Sequence, residues 1–152
     1  MIYNDFQLDK TYDFVIKNYA FGNLSEEQLV AIYQDGRFAS PFLEKELEYW
    51  FPQLKHVTGN KDHDHIHKVS GQLYDAKNFT KNGMGFMPSN QRGAGRTFNF
   101  EATYKKASKL VYIACDIVDF PAVRVKFLNG AELLENYPKG EIKSHEREVL
   151  FT

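Results

Sequence analysis

The chain has 152 residues, 43% of them hydrophobic and 26% charged. That suits one globular domain and excludes a disordered or fibrous chain. Nineteen Lys and Arg against twenty Asp and Glu give a net charge of −1, which excludes a bulk polycation that coats nucleic acid.

Residues 4–20 are predicted as a helix, with Phe6, Tyr12, Phe14, Val15 and Ile16 as its apolar content. Ser25-Glu26-Glu27-Gln28 is a helix start: Ser25 can cap, and Gln28 completes a capping box. This helix, 26–34, is expected to end at Asp35-Gly36, where Gly suits the left-handed residue after a helix. Ser40 and Pro41 then serve as N-cap and first residue of the next helix. Its positions Phe42, Leu43, Leu47, Trp50 and Phe51 keep helical spacing, and Pro52 ends or kinks it.

From Leu54 the pattern changes. Residues 54–58 form a short apolar-polar stretch, and 62–69 and 72–79 alternate on either side of Ser70-Gly71, a hairpin signal. Residues 82–96, rich in Gly, Asn, Ser and Pro, read as a long loop, and loops of that length are usually functional. Next come a basic helix at 100–110, an apolar strand at 110–117 buried on both faces, and a strand at 123–128. A short helix at 131–136 and an irregular tail at 137–152 follow. Cys115 reads as a buried core thiol, and as the single cysteine it excludes an internal disulfide framework and a Cys-based zinc knuckle. The element order predicts a single α/β or α+β domain over 1–152, with a central mixed β-sheet flanked by helices. Within it, 1–35 is a helical N-terminal part, 36–128 the core and 129–152 a C-terminal tail. The apolar runs fall far short of the ~20 residues that span a bilayer, and MIYNDFQLDK lacks the apolar stretch of a signal peptide. A cytoplasmic protein without a membrane partner is expected.

The charge is uneven along the chain. Residues 1–75 carry a net of −5, residues 76–115 a net of +6 and residues 116–152 a net of −2. A basic middle between acidic ends can place a positive face beside a cluster of carboxylates.

The chemistry concentrates in Asn60-Lys61-Asp62-His63-Asp64-His65-Ile66-His67 and Gly71-Gln72-Leu73-Tyr74-Asp75-Ala76-Lys77-Asn78-Phe79-Thr80. Alternate strand residues share a face, so Asp75 and Lys77 point the same way, as do His63, His65 and His67 on the preceding strand. A short hairpin lets Asp64 approach Asp75. Two adjacent carboxylates repel unless a cation sits between them, and an all-oxygen site suits Mg²⁺. A neighbouring lysine can hold a water or support a charged phosphate, which makes a minimal kit for metal-assisted phosphodiester hydrolysis.

Asp64, then Asp75-Ala76-Lys77, resembles the PD-(D/E)xK nuclease motif. The longer strings His63-Asp64-His65-Ile66, Leu73-Tyr74-Asp75-Ala76-Lys77-Asn78-Phe79-Thr80, Phe86-Met87-Pro88-Ser89, Gly93-Ala94-Gly95-Arg96-Thr97-Phe98 and Asp119-Phe120-Pro121 are similar to small type II restriction endonucleases of that superfamily. The resemblance covers roughly 36–151. It departs from the pattern at His63, where proline usually precedes the first acid, and at Ser40, where members often carry a helix glutamate. Glu44 or Glu48, one and two helical turns on, could replace that glutamate, and Glu44 is preferred.

The resemblance implies a restriction-endonuclease-like core with its acids at one edge of a DNA cleft. Asp64 and Asp75, with the Ala76 carbonyl, would bind Mg²⁺, for which Mn²⁺ substitutes. Lys77 would position the attacking water, and Glu44 would join the site. Asn78, Thr80 and Lys81, and Ser89, Asn90, Gln91, Arg92 and Arg96 in the Gly-rich loop, would contact double-stranded DNA. Symmetric cleavage of a palindrome would require a homodimer.

Three alternatives use the same residues. Asp64-His65-Ile66-His67 also resembles the first strand of an HNH nuclease, with His65 as general base and Asn78 downstream. A non-catalytic nucleic-acid-binding module would stack bases on Phe79, Phe86, Phe98 and Tyr104. Strand spacing of roughly 7 Å keeps the three alternate histidines from ligating one zinc ion together without a bend, but two could do so with help from His56.

Overall fold

The computed structural model describes residues 1–59, 63–87, 95 and 97–152. In chain order the elements begin β1 (Thr11–Val15), α1 (Glu26–Tyr33), α2 (Gly36–Trp50), β2 (Leu54–His56), β3 (His65–His67), β4 (Leu73–Phe79) and β5 (Met84–Gly85). They continue with α3 (Phe100–Ala107), β6 (Leu110–Asp116), β7 (Ala122–Asn129), α4 (Gly130–Asn136), β8 (Glu141–Ile142), a 3₁₀ turn (Ser144–Glu146) and α5 (Arg147–Phe151). Among the described residues, six strands form one mixed sheet in the order β1-β7-β6-β4-β3-β2, with only β4 and β6 parallel. β5 and β8 make a separate two-stranded ribbon. The mixed sheet flanked by helices agrees with the expected fold class.

Each sheet face has its own core. On one, Ala39, Leu43, Leu47 and Trp50 of α2 pack against Tyr74, Val111, Ile113, Val125 and Phe127. On the other, Ala107 of α3, Leu133 and Leu134 of α4, and Leu150 and Phe151 of α5 cover Phe79, Tyr112, Ala114 and Leu128. β6 lies between these layers, so all seven of its residues are buried. Cys115 is buried as expected, and burial pushes its thiol up to about 12.

Besides Met84–Gly85, which form β5 inside the loop expected over 82–96, four local expectations are corrected. The helix at 4–20 is instead the edge strand β1, paired with β7 from Thr11↔Lys126 to Val15↔Ala122. Tyr12 and Phe14 point into the core while Asp13 and Val15 face out, a period of two rather than 3.6. Second, Gly36 does not terminate α1. Asp35 caps α2, accepting the Arg37 N–H at 2.9 Å, and Gly36 is its first residue. Third, Pro41 therefore lies inside α2. It forfeits one intrahelical hydrogen bond, but the helix continues because Leu43 and Leu47 behind it are fully buried, each contributing roughly 2 kcal/mol. Fourth, the tail after Tyr137 is built into the fold. β8 pairs with β5, and α5 is held where Lys126 Nζ donates to the Leu150 carbonyl at 2.6 Å and Thr11 Oγ1 to the Phe151 carbonyl at 2.8 Å. The α1 start is as expected: Ser25 and Gln28 exchange both capping-box bonds, at 2.9 and 3.1 Å.

Candidate active site

A length mismatch in the sheet creates the site. β4 has seven residues and β3 only three, paired to β4 at Leu73 and Tyr74. Beyond Tyr74 the β3 side of β4 lacks a strand partner and opens into a cleft of about 490 Å³. Asp64 stands at that fork. Its own N–H donates to the Tyr74 carbonyl at 2.8 Å, its carbonyl accepts from Val57 at 2.7 Å, and its Oδ2 accepts the Ala76 N–H at 2.9 Å. Asp64 thus replaces the missing strand as acceptor for β4. The N–H and C=O of one strand residue face the same edge, so the Ala76 carbonyl is turned toward this cleft too.

Asp75 and Lys77 point together to the α3 side of β4, as their spacing predicts. Lys77 Nζ lies 3.2 Å from Asp75 Oδ2. The Asp75 side chain is 9% exposed, and its carboxyl pKa rises to about 6. Burial is the main cause. Lys77 opposes it, while the Asp64 carboxylate, within hydrogen-bonding reach, adds to it. Two touching carboxylates with one lysine between them and solvent are under-compensated. Such a donor set fits Mg²⁺, which takes one or two carboxylates and keeps waters for its other positions. Among the described residues, no group of three or more His, Cys, Asp or Glu side chains is placed to hold a metal.

Glu44 of α2 lines the same cleft but turns its carboxylate to His56, whose Nε2 is 3.4 Å from Oε2. Glu48 instead accepts the His56 backbone N–H at 2.9 Å. His65 is fully buried, and its Nε2 is bonded to the Glu44 carbonyl at 2.7 Å. Burial lowers its pKa. This bond pins β3 to α2, and it leaves the imidazole shielded from a substrate. His67 Nδ1 accepts the Val69 and Ser70 N–H groups in the hairpin turn. The three histidines do not converge on one ion.

Asn78 lies at the cleft wall with its amide committed to α2: Nδ2 donates to Ser40 Oγ at 2.8 Å and to the Gly36 carbonyl at 3.1 Å. Thr80 and Lys81 line an adjoining hollow of about 590 Å³, which shares Asp35, Gly36 and Arg37 with the cleft. Ser89, Asn90, Gln91, Arg92 and Arg96 lie outside the described residues. Of the aromatics proposed for stacking, Phe79 and Phe86 are core residues and Phe98 packs against them, leaving Tyr104 exposed.

Two contributors lay outside the expected site: His56, considered only as an aid to zinc, holds Glu44, and Lys106 of α3, read with Lys105 and Lys109 as a generic phosphate contact or solvated charge, lines the cleft opposite α2. His56 carries no local signal, because its role depends on the α2–β2 packing. Lys106 was legible in principle, since it borders the stripe of Thr103 and Ala107 that α3 buries.

Among the described residues no helix is long and apolar enough to cross a membrane. Comparison with protein-family models, curated proteins and solved structures found no match for this chain.

Proposed function

We propose that this chain is a Mg²⁺-dependent DNA endonuclease that hydrolyses phosphodiester bonds in double-stranded DNA, in the manner of a site-specific restriction enzyme acting as a homodimer. The observation that carries this reading is the convergence of Asp64, Asp75, the Ala76 carbonyl and Lys77 on one open strand edge. Asp64 and Asp75, with the Ala76 carbonyl, would hold the ion. A bound Mg²⁺ would lower the pKa of its water and offset phosphate charge. Lys77, fixed by Asp75, orients the attacking water beside the phosphorus. The water gives up a proton as its oxygen bonds to phosphorus, one P–O ester bond breaks, and the departing oxygen takes up a proton.

Plasmid digestion tests this. Wild type with Mg²⁺ is expected to cut and with a chelator to leave DNA intact. Asp75→Ala and Lys77→Ala are expected to abolish cutting, and His65→Ala, assayed where it is folded, to retain it. Loss in His65→Ala with cutting retained in Asp75→Ala would move the chemistry to an HNH mechanism. DNA binding by wild type without any cutting would make the chain a binding module. Sedimentation of the DNA-bound protein as a monomer would remove the dimer.

A further inference from the structure

Lys106 differs from its neighbours on α3. Lys105 and Lys109 are exposed, whereas Lys106 is half-buried and lines the cleft that holds Asp64, Asp75 and Lys77. Helical geometry is the reason. Thr103 and Ala107 are buried against the sheet, and Lys106, three residues after Thr103, sits on the flank of that stripe turned to β4. Gly130 fixes the helix end that carries it. A Cβ there would meet the Ala107 carbonyl at 2.0 Å and the Leu110 carbonyl at 2.6 Å, so only glycine lets α4 approach so closely.

Among the described residues, no carboxylate lies within ion-pair distance of Lys106, although its charge reaches Asp75. Lys77, by contrast, is engaged with Asp75 at 3.2 Å. Of the other charged groups lining the cleft, Asp35 is paired with Arg37 and Glu44 faces His56, so beside Asp64 and Asp75 the cleft holds one lysine in use and one free.

We propose that Lys106 is a second catalytic cation of this site, contacting a non-bridging oxygen of the attacked phosphate from the α3 side. The inference rests on the nuclease reading and extends it to the charge of the transition state. Asp64 and Asp75 bring two negative charges, and a phosphodiester to which hydroxide has added brings two more. Lys77 and a divalent cation offset three. Lys106 supplies the remaining positive charge at the position where charge develops, from a helix already in place.

The experiment compares wild type, Lys106→Met, Lys106→Arg and, as a control, Lys105→Met. Cleavage of plasmid DNA is followed with enzyme in excess and Mg²⁺ present. Duplex binding is followed with Ca²⁺ over a range of salt. Thermal melting of each variant confirms that it is folded. Lys106→Met is expected to slow cleavage about 10²-fold and to reduce the slope of log affinity against log salt by about 0.9. Lys106→Arg is expected to restore most of the rate, and Lys105→Met to stay within about twofold of wild type. Cleavage by folded Lys106→Met within about twofold of wild type, with an unchanged salt slope, would overturn the inference and leave the nuclease reading standing. No cleavage by wild type would sink the nuclease reading and the catalytic role together.

Discussion

Asp75 on β4 and Asp116 on β6 are both buried, at 6% and 1% exposure, on adjacent parallel strands. Asp116 is saturated. Arg124 Nε donates to it at 2.9 Å, Arg147 Nε at 2.9 and 3.1 Å, and the Val118 N–H at 3.1 Å. The two arginines continue to Glu148 and Asp119, so the network ties β6, β7 and α5 together. Asp75 has one lysine at 3.2 Å and another carboxylate beside it. A buried carboxylate with full compensation holds a fold together. One left short of positive charge invites a cation or a substrate to complete it, and strongly perturbed groups of that kind mark candidate sites.

The contrast can be broken by experiment. The largest effect is expected on activity: Asp75→Ala and Lys77→Ala should each lower Mg²⁺-dependent cleavage more than about 10³-fold, or about 4 kcal/mol, with far-UV dichroism unchanged. Asp116→Ala should instead strike stability. It removes the buried acceptor that Arg124 and Arg147 share, leaving them only Glu148 and Asp119 at the surface, and urea denaturation should show a loss of about 2–3 kcal/mol. A loss below about 1 kcal/mol would erase the distinction between the two aspartates.

Asp75→Asn should run the other way and stabilise the metal-free protein. The folded chain holds the Asp75 proton more tightly than the unfolded chain. That contribution is complete below the ordinary carboxylate value of 3.8 and is lost as pH rises through about 6. At pH 7.5 the ionised wild type therefore bears a penalty of about 3 kcal/mol, and removing it should raise the melting temperature by about 6–12 °C. At pH 3 the difference should vanish. An equal melting temperature at pH 7.5 would mean that Lys77 already compensates Asp75 in full. His65→Ala should give the smallest effect, a destabilisation of about 2 kcal/mol from the lost bond to the Glu44 carbonyl, measured by thermal melting.

Local chemistry was legible wherever neighbours in sequence are neighbours in space. The Ser25–Gln28 capping box, the hairpin around Ser70-Gly71 and the buried strand at Leu110–Asp116 follow from short-range rules. So does the shared face of Asp75 and Lys77. The same rules misread 4–20, because Phe6 and Ile16 widened a two-residue alternation at Tyr12 and Phe14 into a helix-length window. They misread Ser40-Pro41 because a proline that suits a helix start can also be carried inside one that buries enough apolar surface. They dismissed the tail because Ile142, Leu150 and Phe151 are too widely spaced to signal burial until β5, β7 and α4 surround them.

The amino-acid sequence by itself determined the mixed sheet with flanking helices and the pairing of Asp64 with Asp75-Ala76-Lys77, since strand periodicity and a tight turn act over a few residues. Tertiary structure decided the rest. It ended β3 early and opened the edge of β4, turned Glu44 toward His56, fixed His65 against α2, and swung Lys106 rather than Lys105 or Lys109 to the cleft. Each depends on which helix packs on which face of the sheet, and long-range burial sets that packing.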